Sequence, residues 1–333
     1  RNPCLTFRLR EAFVKLTRHF IVLTLLATGL LVAGVSCSDS SAENVPGATS
    51  GVAHATSVDV GGEDEKIAPA ALPKPPVPSS RKRVAAIVTS YFPGSHADVI
   101  VGKFLRGFPT DEGLLPPRTE IASLYIDQVH RRDIGRQVAH KYDIPLYESI
   151  RGALTLGGDT LAVDAVLLIG EHGDYATSEL GQEMTPRRYF FEQISAVIIA
   201  ADSPVPVYND KHLSYRFDDA RWMYQTARRR GIPFWAASAL PVVWRKPNWE
   251  HPRGQPIDRA LVIGFHMVER YGYHALEVLQ SQVERRRGGE TGVRSVECLF
   301  GEDVWKAAED GRWSMKLANT ALGRIEGGPG TLE

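Results

Sequence analysis

Along residues 83–240 the chain alternates two patterns of apolar positions. Short continuous runs occur at 84–88 (VAAIV), 121–126, 144–147, 165–169, 205–208 and 232–236. Each run suits a strand buried on both faces, as in a parallel sheet covered by helices. Between the runs, apolar residues recur at helical spacing: Ala97, Ile100, Val101, Phe104 and Leu105; Ile134, Val138 and Tyr142; Ile150 and Leu154; Phe190, Phe191, Ile194, Val197 and Ile198; and Ala220, Met223, Tyr224 and Ala227. The boundary signals agree. Asp133 and Asp218 stand at helix starts, Thr185 precedes Pro186 at an expected first helical position, and Gly231 follows a helix end. Strands alternating with helices predict right-handed crossovers and a doubly wound parallel sheet of the α/β class.

The alternation stops after Ala237. Residues 241–256 are rich in Trp, Pro and Arg; 261–265 then reads as a strand, 273–283 as a helix and 293–300 as a strand, before a Gly-rich tail from Gly327. This predicts a second, partial α+β region. Residues 106–119, with their prolines and glycines, read as a surface excursion. Residues 38–80 are rich in Ser, Gly, Ala and Pro, a composition that cannot bury a core and reads as a disordered tether. Ahead of them, Arg8, Arg10, Lys15 and Arg18 precede an apolar run over 20–35, and small residues lead into Cys37. That order is the order of a secretory signal. It resembles a bacterial lipoprotein signal with Cys37 as the lipid-bearing residue, although Gly34 stands where Leu is usual. The alternative is an uncleaved anchor whose apolar run falls slightly short of the roughly 20 residues that span a bilayer. A twin-arginine pair is missing, because His19 follows Arg18. The expected organisation is therefore 1–37 as signal, 38–80 as tether, 81–238 as the α/β domain and 239–333 as the α+β region. The expected location is outside the cytoplasm, in the periplasm or cell envelope.

Composition narrows the function classes. Formal net charge is zero, so nothing argues for a nucleic-acid partner. The basic triplets at 81–83, 228–230 and 285–287 read as solvated element ends. Of the three cysteines only Cys298 falls in the folded part, which excludes an internal disulfide framework. Set in VECLF, Cys298 is expected to be a buried strand thiol. No Gly-x-Ser-x-Gly elbow, Walker loop or cysteine-pair motif is present, so hydrolase and nucleoside-triphosphatase readings lack support.

The densest candidate chemistry lies in residues 163–175, VDAVLLIGEHGDY. An apolar strand ends abruptly in Gly170, Glu171, His172, Gly173 and Asp174. Ligands of open α/β sheets sit outside the carboxyl ends of the strands, which makes this a place for a site. The first strand is followed by Ser90, Tyr91, Phe92, Pro93, Gly94, Ser95 and His96, the second ends in Asp127, and the fifth runs into Asn209, Asp210, Lys211 and His212.

Three stretches, AHKYDIPLYESI (139–150), VDAVLLIGEHGDY (163–175) and VPVYNDKHLSYRFDDARWMYQTARRRGIPF (205–234), resemble in order and spacing the glucose–fructose oxidoreductase and inositol dehydrogenase (Gfo/Idh/MocA) family. The likeness covers 83–240 well and 257–300 loosely. It implies a Rossmann-like domain binding NAD or NADP, followed by a domain that shapes a pocket for a sugar or polyol. It also implies hydride transfer assisted by a lysine and a histidine. On this sequence those roles fall on Lys211 and His274. The cofactor would be held by Ser90, Gly94, Ser95, His96 and Asp127, with Gly170, Glu171 and His172 beside the nicotinamide. Departures accompany the likeness. The dinucleotide fingerprint needs several glycines, and only Gly94 is present, next to bulky Tyr91 and Phe92. The family's Glu-Lys-Pro segment reads Asp210, Lys211, His212, and Arg270 stands where an aspartate would precede His274 by four residues.

Other groupings carry less. His266, Glu269 and His274 match no standard zinc spacing, and no metal is expected either there or at Glu171, His172 and Asp174. Trp222, Trp235, Trp244 and Trp249 read as core rather than as a sugar platform. Expected partners are a sugar or polyol, the membrane through the N-terminus and a further copy of the chain. Two readings stay open: an exported NAD(P)-dependent oxidoreductase, and a Rossmann-shaped binding or structural protein of the envelope that has lost the cofactor.

Overall fold

The computed structural model describes residues 20–22, 24–27, 29–32, 81–111, 113–265, 267–325, 331 and 332. The chain forms two compact units, 1–36 with 80–333, and 37–79. The second unit, which holds the tether, lies outside the described residues.

The centre of the first unit is a parallel sheet of β1 (Lys82–Val88), β2 (Thr119–Ile126), β3 (Ala165–Ile169), β4 (Val207–Asp210) and β5 (Phe234–Ala237). Their spatial order is β5-β4-β3-β1-β2, every pair parallel. This is a Rossmann-like order, with its switch point between β1 and β3. The third expected strand, at 144–147, is reduced to a single parallel bridge between Leu124 and Leu146. Pro145 has no N–H to give a ladder. Only its carbonyl takes part, accepting from Leu124, while the Tyr147 N–H donates to the Leu124 carbonyl.

Helices cover both faces: α1 (His96–Arg106), α2 (Gly135–Lys141), α3 (Ile150–Thr155), α4 (Arg187–Ala200) and α5 (Phe217–Arg229). The alternation of β1 divides the core in two. Ala85 and Ile87 pack with Leu154, Phe190, Phe191, Ile194 and Met223 on one face. Val84, Ala86 and Val88 pack with Val101, Ala139 and Ile169 on the other. Each fully buried aliphatic or aromatic side chain contributes about 1.5–3 kcal/mol relative to exposure, so these two layers fix where the strand ends lie.

Two helix starts differ from expectation. Pro186 is the cap of α4 rather than its first residue, because the Thr185 hydroxyl accepts from Arg187 Nη1 instead of capping the helix. Asp133 sits one residue before the α2 cap, Ile134, and accepts from the Arg136 N–H at 3.3 Å.

Beyond β5 the structure is smaller in scale. A strand at Ile263–Phe265 pairs with Phe20–Val22, and Ser295–Val296 pairs with Thr24–Ala27, which in turn pairs with Gly29–Val32. Residues 20–22, 24–27 and 29–32, which fall in the expected apolar leader, contribute strands here. Helices α6 (Tyr273–Val283), α7 (Glu302–Glu309) and α8 (Met315–Leu322) gather around Leu261, Leu279, Val283, Ala307, Trp313 and Ala318. The expected strand at 293–300 shrinks to two residues, and Cys298 is exposed outside it rather than buried. No helix among the described residues is long and apolar enough to cross a membrane.

Candidate functional site

The carboxyl edge of the sheet gathers most of the polar residues singled out by the sequence. At the end of β3, Gly170 is required by close approach: a Cβ there would lie 2.5 Å from Arg187 Cγ. The Arg187 side chain, 1% exposed, therefore passes directly over the strand end. The next turn is held by the Thr89 hydroxyl, which donates to the Glu171 carbonyl at 2.7 Å. His172 and Lys211, at the ends of β3 and β4, both adopt left-handed backbone, with φ of 67° and 65°. Such non-glycine conformations cost of order 1–3 kcal/mol each and concentrate at functional edges.

Glu171 is the hub of a buried ion cluster. Arg187 Nη2 donates to its Oε1, and Lys211 Nζ donates to its Oε2 at 2.9 Å. Burial alone would raise the Glu171 pKa, but the summed attraction of Arg187 and Lys211 holds it down at about 2. Arg187 Nη1 also donates to His212 Nε2 at 3.2 Å. Guanidinium donates only, so the neutral His212 ring carries its proton on Nδ1. That atom is buried without a hydrogen-bond partner among the described residues. Burial, reinforced by the Arg187 charge, lowers the His212 pKa to about 3.

A second pair spans the same edge. His96, the first residue of α1, places Nδ1 2.6 Å from Oδ2 of Asp210, the last residue of β4. The contact reaches across the end of β3, which lies between β1 and β4. The His172 ring stands 5.4 Å from that of His96, and its pKa is lowered, first by burial and then by the neighbouring His96. Phe92 continues the row, 5.1 Å from the His172 ring and 4.3 Å from the His130 ring.

The remaining expected cofactor groups are engaged by the chain itself. Ser95 Oγ accepts from the Phe92 and Asp98 N–H groups, and the Asp98 carboxylate accepts from the Gly94 N–H at 3.0 Å. Tyr91 is fully buried against α2, where a Cβ on Gly135 would lie 2.9 Å from Tyr91 Cβ. Asp127 Oδ1 accepts from the Tyr125 hydroxyl and Oδ2 from the Tyr175 hydroxyl, at 2.9 and 2.8 Å. Burial raises both tyrosine pKa values, so the phenols stay protonated as donors. A pyrophosphate needs free N–H groups and no nearby anion. Asp98 takes one such group and adds a negative charge in the first turn of α1. In this arrangement the phosphate- and ribose-binding half of the edge does not fit a dinucleotide.

His274 is engaged by Ser238 and Glu277. Its Nδ1 is 3.1 Å from Ser238 Oγ and 3.5 Å from Glu277 Oε2. Burial would raise the Glu277 pKa, but hydrogen bonds from His274 and Ser238 bring it below the ordinary value. The link to the ion cluster runs through Tyr273, whose ring is 5.6 Å from that of His212. The structure thus joins Glu171 to Lys211 and His96 to Asp210 and His172. Ser90 is buried. Among the described residues no group of three or more His, Cys, Asp or Glu could hold a metal ion. Sequence reasoning missed Arg187 and Asp98. Thr185 and Pro186 drew attention to a helix start but gave no sign that the next residue turns inward. The tryptophans also differ from expectation, because Trp235, Trp244 and Trp249 are 67%, 84% and 38% exposed rather than core.

No protein-family model matches the chain, and no curated protein matches it. Solved structures similar to it include UDP-N-acetylglucosamine 3-dehydrogenase GnnA from Acidithiobacillus ferrooxidans, 16% identical over 52% of this chain and 46% of that one, with a TM-score of 0.32. GenD2 from gentamicin A biosynthesis, in complex with NAD, is 16% identical over 62% and 55%, with a TM-score of 0.37. A Gfo/Idh/MocA family oxidoreductase from Vibrio cholerae is 16% identical over 49% and 40%, with a TM-score of 0.32. The chain spans roughly half the length of these proteins. At these scores the likeness carries no argument, and both the fold and the chemistry of the site rest on the chain's own residues.

Proposed function

We propose that the chain is a Gfo/Idh/MocA-like protein of Rossmann type whose carboxyl-edge crevice binds a sugar or polyol without a dinucleotide. One observation carries this reading: Gly94, Ser95 and Asp127, the groups expected to hold pyrophosphate and ribose, are all engaged by the chain's own residues. The sugar or polyol comes from the family resemblance and from the paired rings of His96 and His172 at this edge. Binding would rest on hydrogen bonds to ligand hydroxyls, with the ion cluster beneath acting as a rigid floor. Calorimetric titration of the full chain with myo-inositol and with glucose, in cofactor-free buffer, tests it. Saturable binding is expected; a folded chain that gives no saturable heat with either sets this reading aside.

A second reading, an NAD(P)-dependent oxidoreductase acting on a sugar or polyol, is favoured by Lys211. A lysine stands at the end of β4, in strained backbone beside Glu171, as the family resemblance implies. It requires Asp98 and Phe92 to withdraw on cofactor entry. Nicotinamide absorbance changes during polyol oxidation by the full chain would establish it. Export belongs to the same proposal and rests on the basic, apolar, small-residue order ahead of Cys37. Loss of radiolabelled lipid from a Cys37→Ser chain expressed in bacteria is the expected sign of lipid attachment.

A further inference from the structure

We propose that His96, oriented by Asp210, is the group at this edge that accepts a hydrogen bond from a ligand hydroxyl, in place of Lys211. The inference rests on the reading that a hydroxyl-bearing ligand sits at this edge. Asp210 is 3% exposed at its side chain and His96 29%, so a buried carboxylate faces a ring that still reaches solvent. An ionised carboxylate accepts only. At 2.6 Å it therefore fixes the His96 proton on Nδ1 and leaves the Nε2 lone pair available. A neutral histidine whose tautomer is set in this way presents one fixed acceptor to a hydroxyl.

The other groups facing His96 are already committed. Glu171, from the loop after β3, has both oxygens paired and a pKa too low for a base near neutrality. Lys211, after β4, holds its ammonium against Glu171 with its side chain 6% exposed. His212 gives its Nε2 lone pair to Arg187. His172 meets His96 edge-on, and Asp98, on the same helix as His96, accepts from Gly94. In the proposed contact a ligand hydroxyl or bound water donates its O–H to Nε2, and no bond to hydrogen is broken. The Asp210 carboxylate holds the ring through Nδ1–H, which makes Asp210 a positioning residue and His96 the group that touches the ligand.

Nitrogen-15 spectra of the full chain labelled at histidine test this directly. In the wild type, the neutral His96 ring is expected as the Nδ1–H tautomer. In Asp210→Ala, the Nδ1–H form is expected to be lost in favour of Nε2–H. Asp210→Asn keeps the volume, and its amide can donate to Nδ1, so it should shift in the same direction if the alanine variant fails to fold. Addition of myo-inositol should move the Nε2 resonance of His96. An Nε2–H tautomer in the wild type, or an unchanged tautomer in a folded Asp210 variant, overturns the inference. Inositol shifts elsewhere in the crevice with His96 unmoved also overturn it and leave the binding reading standing. No inositol shift anywhere, with the Nδ1–H tautomer present, overturns the binding reading and keeps the dyad.

Discussion

The two halves of the sheet's carboxyl edge draw on similar polar residues and use them differently. On the β3–β4 side, polar groups pair with one another at depth: Glu171 with Arg187 and Lys211, and Asp210 with His96 of α1. On the β1–β2 side the contacts are single hydrogen bonds: Asp98 accepts from the Gly94 N–H, and Asp127 accepts from Tyr125 and from Tyr175 of the loop after β3. The first half costs desolvation and is stable only as a set. The second half consists of single, replaceable hydrogen bonds. A Rossmann edge can therefore keep its architecture while the groups that would face a cofactor are turned to internal use.

The sharpest way to break this comparison is to remove the hub. Glu171→Ala leaves two buried cations without a counter-charge, and a loss of about 3–5 kcal/mol in urea unfolding is expected. A loss under 1 kcal/mol would show that the cluster is solvated. The acid limb of stability comes next. His212 has a folded pKa near 3, below its ordinary 6.5, so folding favours the neutral ring. Its contribution is complete above about pH 6.5 and is lost as pH falls toward 3, at about 1.4 kcal/mol per pH unit. Glu171, whose folded pKa is also depressed, adds a further loss only between about 4.5 and 2. His212→Asn should flatten the slope between pH 4.5 and 6.5, and an unchanged slope would assign it elsewhere.

The β1–β2 half should answer more weakly. Tyr175→Phe removes one of two donors to Asp127 and should cost about 1 kcal/mol in thermal unfolding. Asp98→Ala removes a partner of Gly94 and an acid near the start of α1. It should cost about 1 kcal/mol or less while raising sulfate affinity measurably. If Asp98→Ala costs as much as Glu171→Ala, the two halves are not distinct.

Much of the fold was legible because burial on both faces writes itself as short apolar runs. All of β1 from Val84 to Val88 is buried, as are all five apolar residues expected on α4. Where burial is partial, the pattern misled. Pro145 reduced a predicted strand to a bridge, and VECLF reads like a strand although Cys298 is exposed. Trp235 and Trp244 were read as core from residue type alone, yet type does not record which face of β5, or which loop, meets solvent. Within the site, Glu171, His172 and Lys211 were legible because each follows an apolar run at a strand end. Arg187 was not: its burial depends on Gly170, seventeen positions away in sequence and in contact only after folding. The partner of His96 was hidden for the same reason, because Asp210 meets it across the end of an intervening strand.

The central claim is that the β1–β2 half of the edge is closed to a dinucleotide. Titrating the full chain with NAD and with NADP, followed by quenching of tryptophan fluorescence, tests it most directly. The account predicts no saturable binding up to millimolar cofactor by a folded chain, with Asp98→Ala no worse. Saturable binding in the micromolar range would contradict it. That result would mean that Asp98 and Phe92 yield to the cofactor and that Lys211 belongs to an oxidoreductase.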